Sequence, residues 1–374
     1  MKRLLLIGGG HSHVEVVRRF GRAPEPGVEV MLVSPGRYAG YSGMLPGLIA
    51  GHYAFDDAHI DLPRLTGASH CRFVPGTVNG LNPDARLAFC NNGQTLEFDI
   101  ASIDIGSRPG TLDVPGACAH ALGVKPLERF LARWQGALDR ASAGHLPRGD
   151  RVVMVGAGAA GVETLLSMQH RMARTGAEAR FALVSATAQI LPGHRGRVRR
   201  IFTRLLRERG IESYCGRAVV EVTARSVVLA GGERVAADLV VWAVTASAPF
   251  WPGACGLAVD AGGFIRVDAS LQSVNRAGVF AAGDIAAIEP SPAPKSGVYA
   301  VRQGPLLAAN LRRTLRGEPL AAFAPQREAL ALISTGNRNA VASRGWLAAE
   351  GAWVWHWKDW IDRRFMRRYR SIHA

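Results

Sequence analysis

Cysteine, lysine and long apolar runs are all scarce in this 374-residue chain. The five cysteines, Cys71, Cys90, Cys118, Cys215 and Cys255, stand at least 19 residues apart. That spacing encodes neither a zinc ribbon nor a local redox disulfide, and leaves the five as small hydrophobes. No apolar stretch reaches the ~18 residues of a spanning helix. The apolar part of MKRLLLIGGG is too short for a signal peptide. A cytoplasmic location is therefore expected, with attachment to the inner face of the cell membrane left open. His11, His13, His52, His59 and His70 form no HExxH or clustered pattern, so no metal is expected. Only four lysines occur among 45 basic residues. The net charge of +15 suits an anionic partner or surface. With no RNP-type aromatic motif or other recognised module, nucleic acid is not expected as that partner.

What is present is globular: 48% of residues are apolar, and the length allows two or three domains. Residues 8–14, GGGHSHV, follow the apolar run RLLLI. Gly8 and Gly10 fit a Gly-x-Gly-x-x-Gly turn, but His13 stands where the third glycine belongs. A second stretch, RVVMVGAGAAGVE at 151–163, has Gly156, Gly158 and Gly161 between a β-branched strand and helix formers. The first glycine of such a turn permits the bend and the second lets backbone amides approach a pyrophosphate. The third packs helix against strand, and the helix N-terminus attracts phosphate. Both turns lead to a further strand that ends in serine, Ser34 and Ser185, where an acid on the ribose diol is usual. No arginine follows Ser185 to grip a 2′-phosphate, so NADH against NADPH is left open. Two β–α–β units about 148 residues apart point to two nucleotides bound in one chain.

Three further stretches define the first nucleotide. DIASIDIGSRP at 99–109 is a buried strand followed by Gly106, Arg108 and Pro109. ADLVVWAVTASAP at 237–249 repeats the pattern with Thr245 or Ala246 in place of glycine, and GVFAAGDIA at 278–286 ends a strand in Gly283–Asp284. The ordered set resembles the two-dinucleotide-binding flavoproteins of the pyridine nucleotide-disulfide oxidoreductase superfamily, over nearly the whole chain. The resemblance implies an α/β fold of two Rossmann-like domains plus a small C-terminal β/α segment. It implies FAD at Gly8 and Gly10, NAD(P)H at Gly156, Gly158 and Gly161, and Asp284 on the FAD ribityl chain. His11 or His13 would then lie near the FAD phosphates or the flavin-side loop, with Ser34, Gly106 and Arg108 also on the FAD side and Ser185 on the NAD(P)H side. Glu163 matches an acid near the nicotinamide ribose, or equally a carboxylate favoured by its helix dipole.

The loop YAGYSGMLPGLIAGHY at 38–53 carries no cysteine and includes Pro46, which argues against thiol–disulfide transfer. No cysteine follows Cys255, which argues against sulfide oxidation. The loop, GGGHSHVEVVRRF, PKSGVYAVRQGPLLAANL and WKDWIDRRFMRRY are similar to type II NADH dehydrogenase-like flavoproteins, including the branch fused to selenophosphate synthetase. In that superfamily the helix entered through Pro294–Lys295–Ser296 aims its N-terminus at the flavin pyrimidine, which makes Lys295 a candidate cation or a plain surface lysine, with Gln303 near the acceptor side. A helix with a solvated arginine face is expected at 197–210. Of the eight tryptophans, five crowd into 346–360, before a run of arginines. Trp353, Trp355 and Trp357 alternate like a strand, and a basic amphipathic helix is expected from Lys358. This tail, 346–374, suits a membrane surface, a dimer contact or packing on the flavin domain.

The expected domains are 1–114 with 251–317 for FAD, 115–250 for NAD(P)H, and 318–374 as a C-terminal segment. The expected activity is transfer of hydride from NAD(P)H to FAD and of electrons onward to a quinone or another small acceptor. The alternative is an FAD-binding redox partner or sensor serving a selenium pathway, with selenophosphate synthetase as partner and without quinone turnover. Oligomeric state is left open, a dimer included.

Overall fold

Leucine and β-branched runs that would be buried on both faces become parallel strands, and the glycines after them become the turns that begin helices. The computed structural model describes residues 1–110, 114–144, 150–244, 246–289, 295–323 and 330–370. Thr245, Pro294 and the last four residues of the tail lie outside the described residues.

Strand β1 (Lys2–Ile7) runs through Gly8–Gly10 into helix α1 (His11–Arg22), and the chain returns as β2 (Val28–Ser34). The short helix α2 (Leu45–Ile49) lies before β3 (Arg72–Pro75) and β4 (Ile100–Ile103). The connector β5 (Arg108–Pro109) leads to β6 (Ala121–Gly123) and β7 (Arg151–Val155), then α3 (Ala159–Ala173) and β8 (Arg180–Ser185). Helix α4 (Gly196–Glu208) precedes β9 (Glu212–Cys215) and β10 (Leu239–Trp242). The chain leaves by β11 (Ala246–Ser247) to β12 (Val279–Ala281) and the long helix α5 (Gly297–Arg316). It ends with β13 (Ala331–Ser334), β14 (Ala340–Arg344), β15 (Leu347–Gly351) and α6 (Ala352–Arg370).

Two five-stranded parallel sheets result, ordered β12-β4-β1-β2-β3 and β6-β10-β7-β8-β9. The fold is thus mixed α/β with two Rossmann-like units. In each, the strand order reverses beside a glycine turn, between β1 and β4 and between β7 and β10, where ligands of open α/β sheets bind. The strand ending at Ala281 returns to the first sheet after the second is complete, and β5 pairs antiparallel with β11 (Arg108↔Ser247, Pro109↔Ala246). The first core holds fully buried Leu4, Leu5 and Leu6, each contributing about 2 kcal/mol through apolar burial. Helix α4 puts Val198, Phe202 and Leu206 into the second core and its arginines outside, as its spacing foretold.

The tail differs from its sequence reading. Trp353, Trp355 and Trp357 lie in α6, and the strand β15 stops at Gly351, whose φ of +144° breaks the extended run. An alternating W-V-W-H-W stretch satisfies a helix because positions 354, 355, 358, 365, 366 and 369 form one buried face.

Candidate functional site

Both glycine turns pack against the strand next to them in the same way. A Cβ at Gly8 (φ +98°) would lie 2.4 Å from the Asp104 carbonyl oxygen, and one at Gly156 (φ +113°) would lie 2.4 Å from that of Ala243. Only glycine fits either place. Gly161 then brings α3 onto the turn, because a Cβ there would sit 2.0 Å from the Gly156 carbonyl oxygen. His13 holds the matching position in the first turn. Its Nδ1 lies 2.7 Å from the Gly8 carbonyl oxygen and its Nε2 2.8 Å from Ser102 Oγ. A carbonyl only accepts, so Nδ1 carries the hydrogen and Nε2 accepts from the serine hydroxyl. Burial holds the ring neutral, with its pKa lowered to about 4.

His11 also lies at the start of α1. Its ring meets Tyr41 edge-on at 5.5 Å, and its Nε2 is buried with no hydrogen-bond partner. Burial first, and Lys125 second, lower its pKa to about 4. Asp104, which sequence reading passed over, puts its carboxylate at the N-terminus of α1. Its Oδ2 accepts from the Ser12 amide at 2.9 Å and the His13 amide at 3.4 Å. Burial pushes this carboxyl up to about 7 despite those two donors.

Gly283–Asp284 crosses the same edge. Gly283 donates its amide to Gln303 Oε1 at 2.6 Å, so buried Gln303 on α5 fixes this turn. Asp284 is paired with Lys125 Nζ at 2.9 Å and accepts from Ser107 Oγ at 3.3 Å. The Lys295 ammonium folds back onto the Asp284 and Ala286 carbonyls, at 2.9 and 3.1 Å, and stands 3.5 Å from the centre of the Phe264 ring. It braces the turn at the mouth of a small cavity lined by Gly283, Asp284, Lys295, Tyr299 and Gln303. Loss of solvation lowers its pKa. Gly106 (φ +67°) has open space where a Cβ would point. Ser34, at the end of β2, faces Gly9, whose Cβ would be 3.2 Å from the serine hydroxyl. Arg108 is exposed on the β5–β11 connector, where it pairs with Ser247. Ser185 turns its hydroxyl to Thr187, at 2.8 Å.

A third group joins the loop 38–53 to α3 and α6. Pro46 opens α2, which packs on α3. Glu163, half-buried on α3, accepts the Ser334 amide at 2.6 Å. Burial raises its carboxyl to about 7, against the opposing pull of Lys358. Lys358 itself is buried, bonded to Asp362 Oδ2 at 2.6 Å and to the Gly43 carbonyl oxygen. Burial raises both the Tyr41 and Tyr53 phenols, and the carboxylates they bond to, Asp362 and Asp359, add to it. The sequence placed Lys358, Asp359 and Asp362 on a basic amphipathic helix; the signal for their inward role was the i,i+4 Lys358–Asp362 spacing beside buried Phe365. On the opposite side of α6, Trp353, Trp357 and Trp360 are exposed, 39% or more.

The first edge fits a flavin dinucleotide. The turn at Gly8–Gly10, the open Gly106, the Gly283–Asp284 crossing, the cavity by α5 and the unpartnered His11 Nε2 line one strand-end crevice. The second edge fits a nicotinamide dinucleotide, since nothing stands within 4 Å of a Cβ at Gly158. Among the described residues no group of three or more His, Cys, Asp or Glu side chains is placed to hold a metal.

The family pattern of the pyridine nucleotide-disulphide oxidoreductases matches residues 2–304. An NADH dehydrogenase-like protein of Mycobacterium tuberculosis is 27% identical, over 77% of this chain and 73% of its own. A type II NADH:quinone oxidoreductase of Staphylococcus aureus is 23% identical, over 86% of this chain and 85% of its own. The NDH2 of Plasmodium falciparum in complex with NADH superposes with a TM-score of 0.83 at 13% identity, covering 99% of this chain and 98% of its own. The sulfide:quinone oxidoreductase of Aquifex aeolicus gives the same TM-score at 20% identity, covering 100% and 92%.

Proposed function

We propose, for a chain that belongs to the pyridine nucleotide-disulphide oxidoreductase family, that electrons taken from NAD(P)H pass through FAD to a quinone. The protein is an NAD(P)H-dependent flavin oxidoreductase; the quinone acceptor and the division of labour among residues are the proposal. FAD would be held by 1–114 with 251–317, and NAD(P)H by 115–250. Gly8, Gly10, His11, Ser34, Gly106, Gly283 and Asp284 would hold FAD, with His13 setting the helix position. Gly156, Gly158 and Gly161 would hold the second dinucleotide, with Ser185 near its ribose. When bound, FAD supplies the hydride acceptor and the one- or two-electron donor that no side chain offers.

The protein's share is binding, alignment, exclusion of water and supply of protons. Gln303 and Lys295 hold the Gly283–Asp284 turn, and Pro46 shapes the loop against α3. Quinone reduction consumes protons, and the Glu163 carboxyl, with its pKa near 7, can carry one at working pH. Lys358 and Asp362 sit beside it as a buried pair that orients the loop through Gly43. The single observation that carries the quinone reading is the Glu163, Lys358 and Asp362 cluster, bonded to Ser334 and Gly43 and walled by the cysteine-free loop and α6. The exposed Trp353, Trp357 and Trp360, flanked by Arg363, Arg364 and Arg367, support a peripheral membrane position through α6, where a lipid-soluble acceptor resides. Among the described residues no helix is long and apolar enough to cross a membrane.

Yellow purified protein should bleach on anaerobic addition of NADH or NADPH and recover its colour on addition of a soluble quinone. Reduced flavin that persists with quinones but reoxidises with another acceptor sinks the quinone assignment. Flotation with anionic vesicles should be lost in the Trp353→Ser, Trp357→Ser, Trp360→Ser triple variant while turnover with soluble quinone stays intact.

A further inference from the structure

The two phosphate-facing helix ends are not equally available. At the second turn the residue after the neighbouring strand is Ala243, and the start of α3 stays open around Gly158. At the first turn the matching residue is Asp104. A Cβ on Gly10 would stand 2.1–2.3 Å from its carboxyl atoms, and one on Gly283 would stand 2.4 Å from Oδ1. The two glycines therefore make room for a carboxylate that is 2% exposed and takes the Ser12 and His13 amides. Those amides are the ones a Rossmann turn offers to a dinucleotide phosphate.

We propose that Asp104 is a resident anion in the FAD phosphate cradle, and that FAD binds together with one proton, taken up by this carboxylate. The inference rests on the assignment of FAD to the first turn. The proton comes from solvent and goes to Asp104; no other bond is made or broken. A charged carboxylate repels the pyrophosphate and neutralises the positive end of α1, whereas the neutral acid keeps one oxygen as acceptor and offers an O–H to a phosphate oxygen. The groups facing Asp104 do not cancel its charge. His11 and His13 on α1 are held neutral by burial. The end of β1 beside the turn, Leu6 and Ile7, and β12 carry only apolar side chains, while Lys2 at the far end of β1 bonds the Leu315 carbonyl and Arg3 pairs with Glu97. Asp284 adds a like charge, itself paired with Lys125, and α5 contributes uncharged Gln303 and Ala300 with Lys295 engaged on carbonyls. Glu15, further along α1, is matched by Arg18 and Arg19. The carboxyl changes charge near pH 7, so the coupling falls within the physiological range.

The test is FAD release from the holoprotein, followed by flavin fluorescence on dilution between pH 6 and 9. Wild type should lose about tenfold in affinity per pH unit above neutrality, the slope of one proton. Asp104→Asn should bind FAD with a flat profile and more tightly than wild type at the alkaline end. Calorimetric FAD titration of stripped wild type, in two buffers of different ionisation heat, should register uptake of close to one proton at pH 8. It needs no variant. A flat wild-type profile, or the same slope in Asp104→Asn, overturns the proposal. Absence of FAD binding at every pH would instead refute the FAD assignment beneath it.

Discussion

Gly8 and Gly156 open turns of the same design, five residues before His13 and Gly161, yet the two turns finish differently. In the second, Gly161 lets α3 close directly onto the Gly156 carbonyl, and the start of the helix is open around Gly158. In the first, an imidazole spans the gap to the Gly8 carbonyl and to Ser102, while Asp104 fills the helix end. Close helix–strand packing is thus one solution to joining the helix to its strand, and a buried hydrogen-bonded side chain is another. The difference teaches that a missing third glycine signals a replaced contact and leaves the nucleotide turn standing.

The comparison can be broken most forcefully at the second turn. Gly161→Val places side-chain atoms against a backbone oxygen that cannot retreat, and overpacking of this kind costs about 1–3 kcal/mol or more. NAD(P)H should no longer bleach the flavin, whereas the FAD-to-protein absorbance ratio should hold. Next in size is His13→Gly, which gives the first turn its third glycine without the backbone shift to use it. It empties a ring-sized space and strips Ser102 of its partner, a cost of about 3 kcal/mol visible as a lower Tm. Unchanged Tm would show that α1 can close as α3 does.

Acid sharpens the same contrast. His13 has a folded pKa of about 4 against 6.5 when exposed, so the native state holds fewer protons than the unfolded chain between those values. Its contribution is complete above about pH 6.5 and is lost as pH falls toward 4, by about 3 kcal/mol. Denaturant unfolding at pH 7 and pH 4.5 should show that loss in wild type and a smaller one in His13→Asn. The smallest effect is expected at Ser185→Asp, where an acid at the strand end would favour the ribose diol over a 2′-phosphate. A shift of about tenfold toward NADH in kcat/KM is expected, with FAD content untouched.

Much of this architecture was legible because glycine turns, buried strands and capping follow local rules. Gly156 and Gly161, the Gly283–Asp284 crossing and a helix beginning after Ser296 all stand where their spacing put them. Asp104 was not legible: inside SIDIG it reads as one polar residue at a strand end. Its meaning depends on β1 and β4 becoming neighbours across almost a hundred residues. Position marks Lys295 as a candidate cation or a plain surface lysine; that its ammonium bonds the Asp284 and Ala286 carbonyls is decided by its rotamer and is not legible in the sequence. The α6 tryptophans misled because a dense aromatic run satisfies periods of 2 and 3.6 together. The selenophosphate-synthetase partner rested on short similar stretches, and no contact described above carries it.

The paired connectors β5 and β11 have a consequence for how the chain assembles. Ile103 and Ala281 meet in one sheet although about 178 residues separate them, a loop whose closure is slow and entropically costly. Once the intervening segment has condensed on its own, the antiparallel Arg108↔Ser247 and Pro109↔Ala246 pairs bring its two ends together. The remaining tether is then a few dozen residues. The connector thus acts as a kinetic short-circuit, turning one long search for the fifth strand of the first sheet into two short ones.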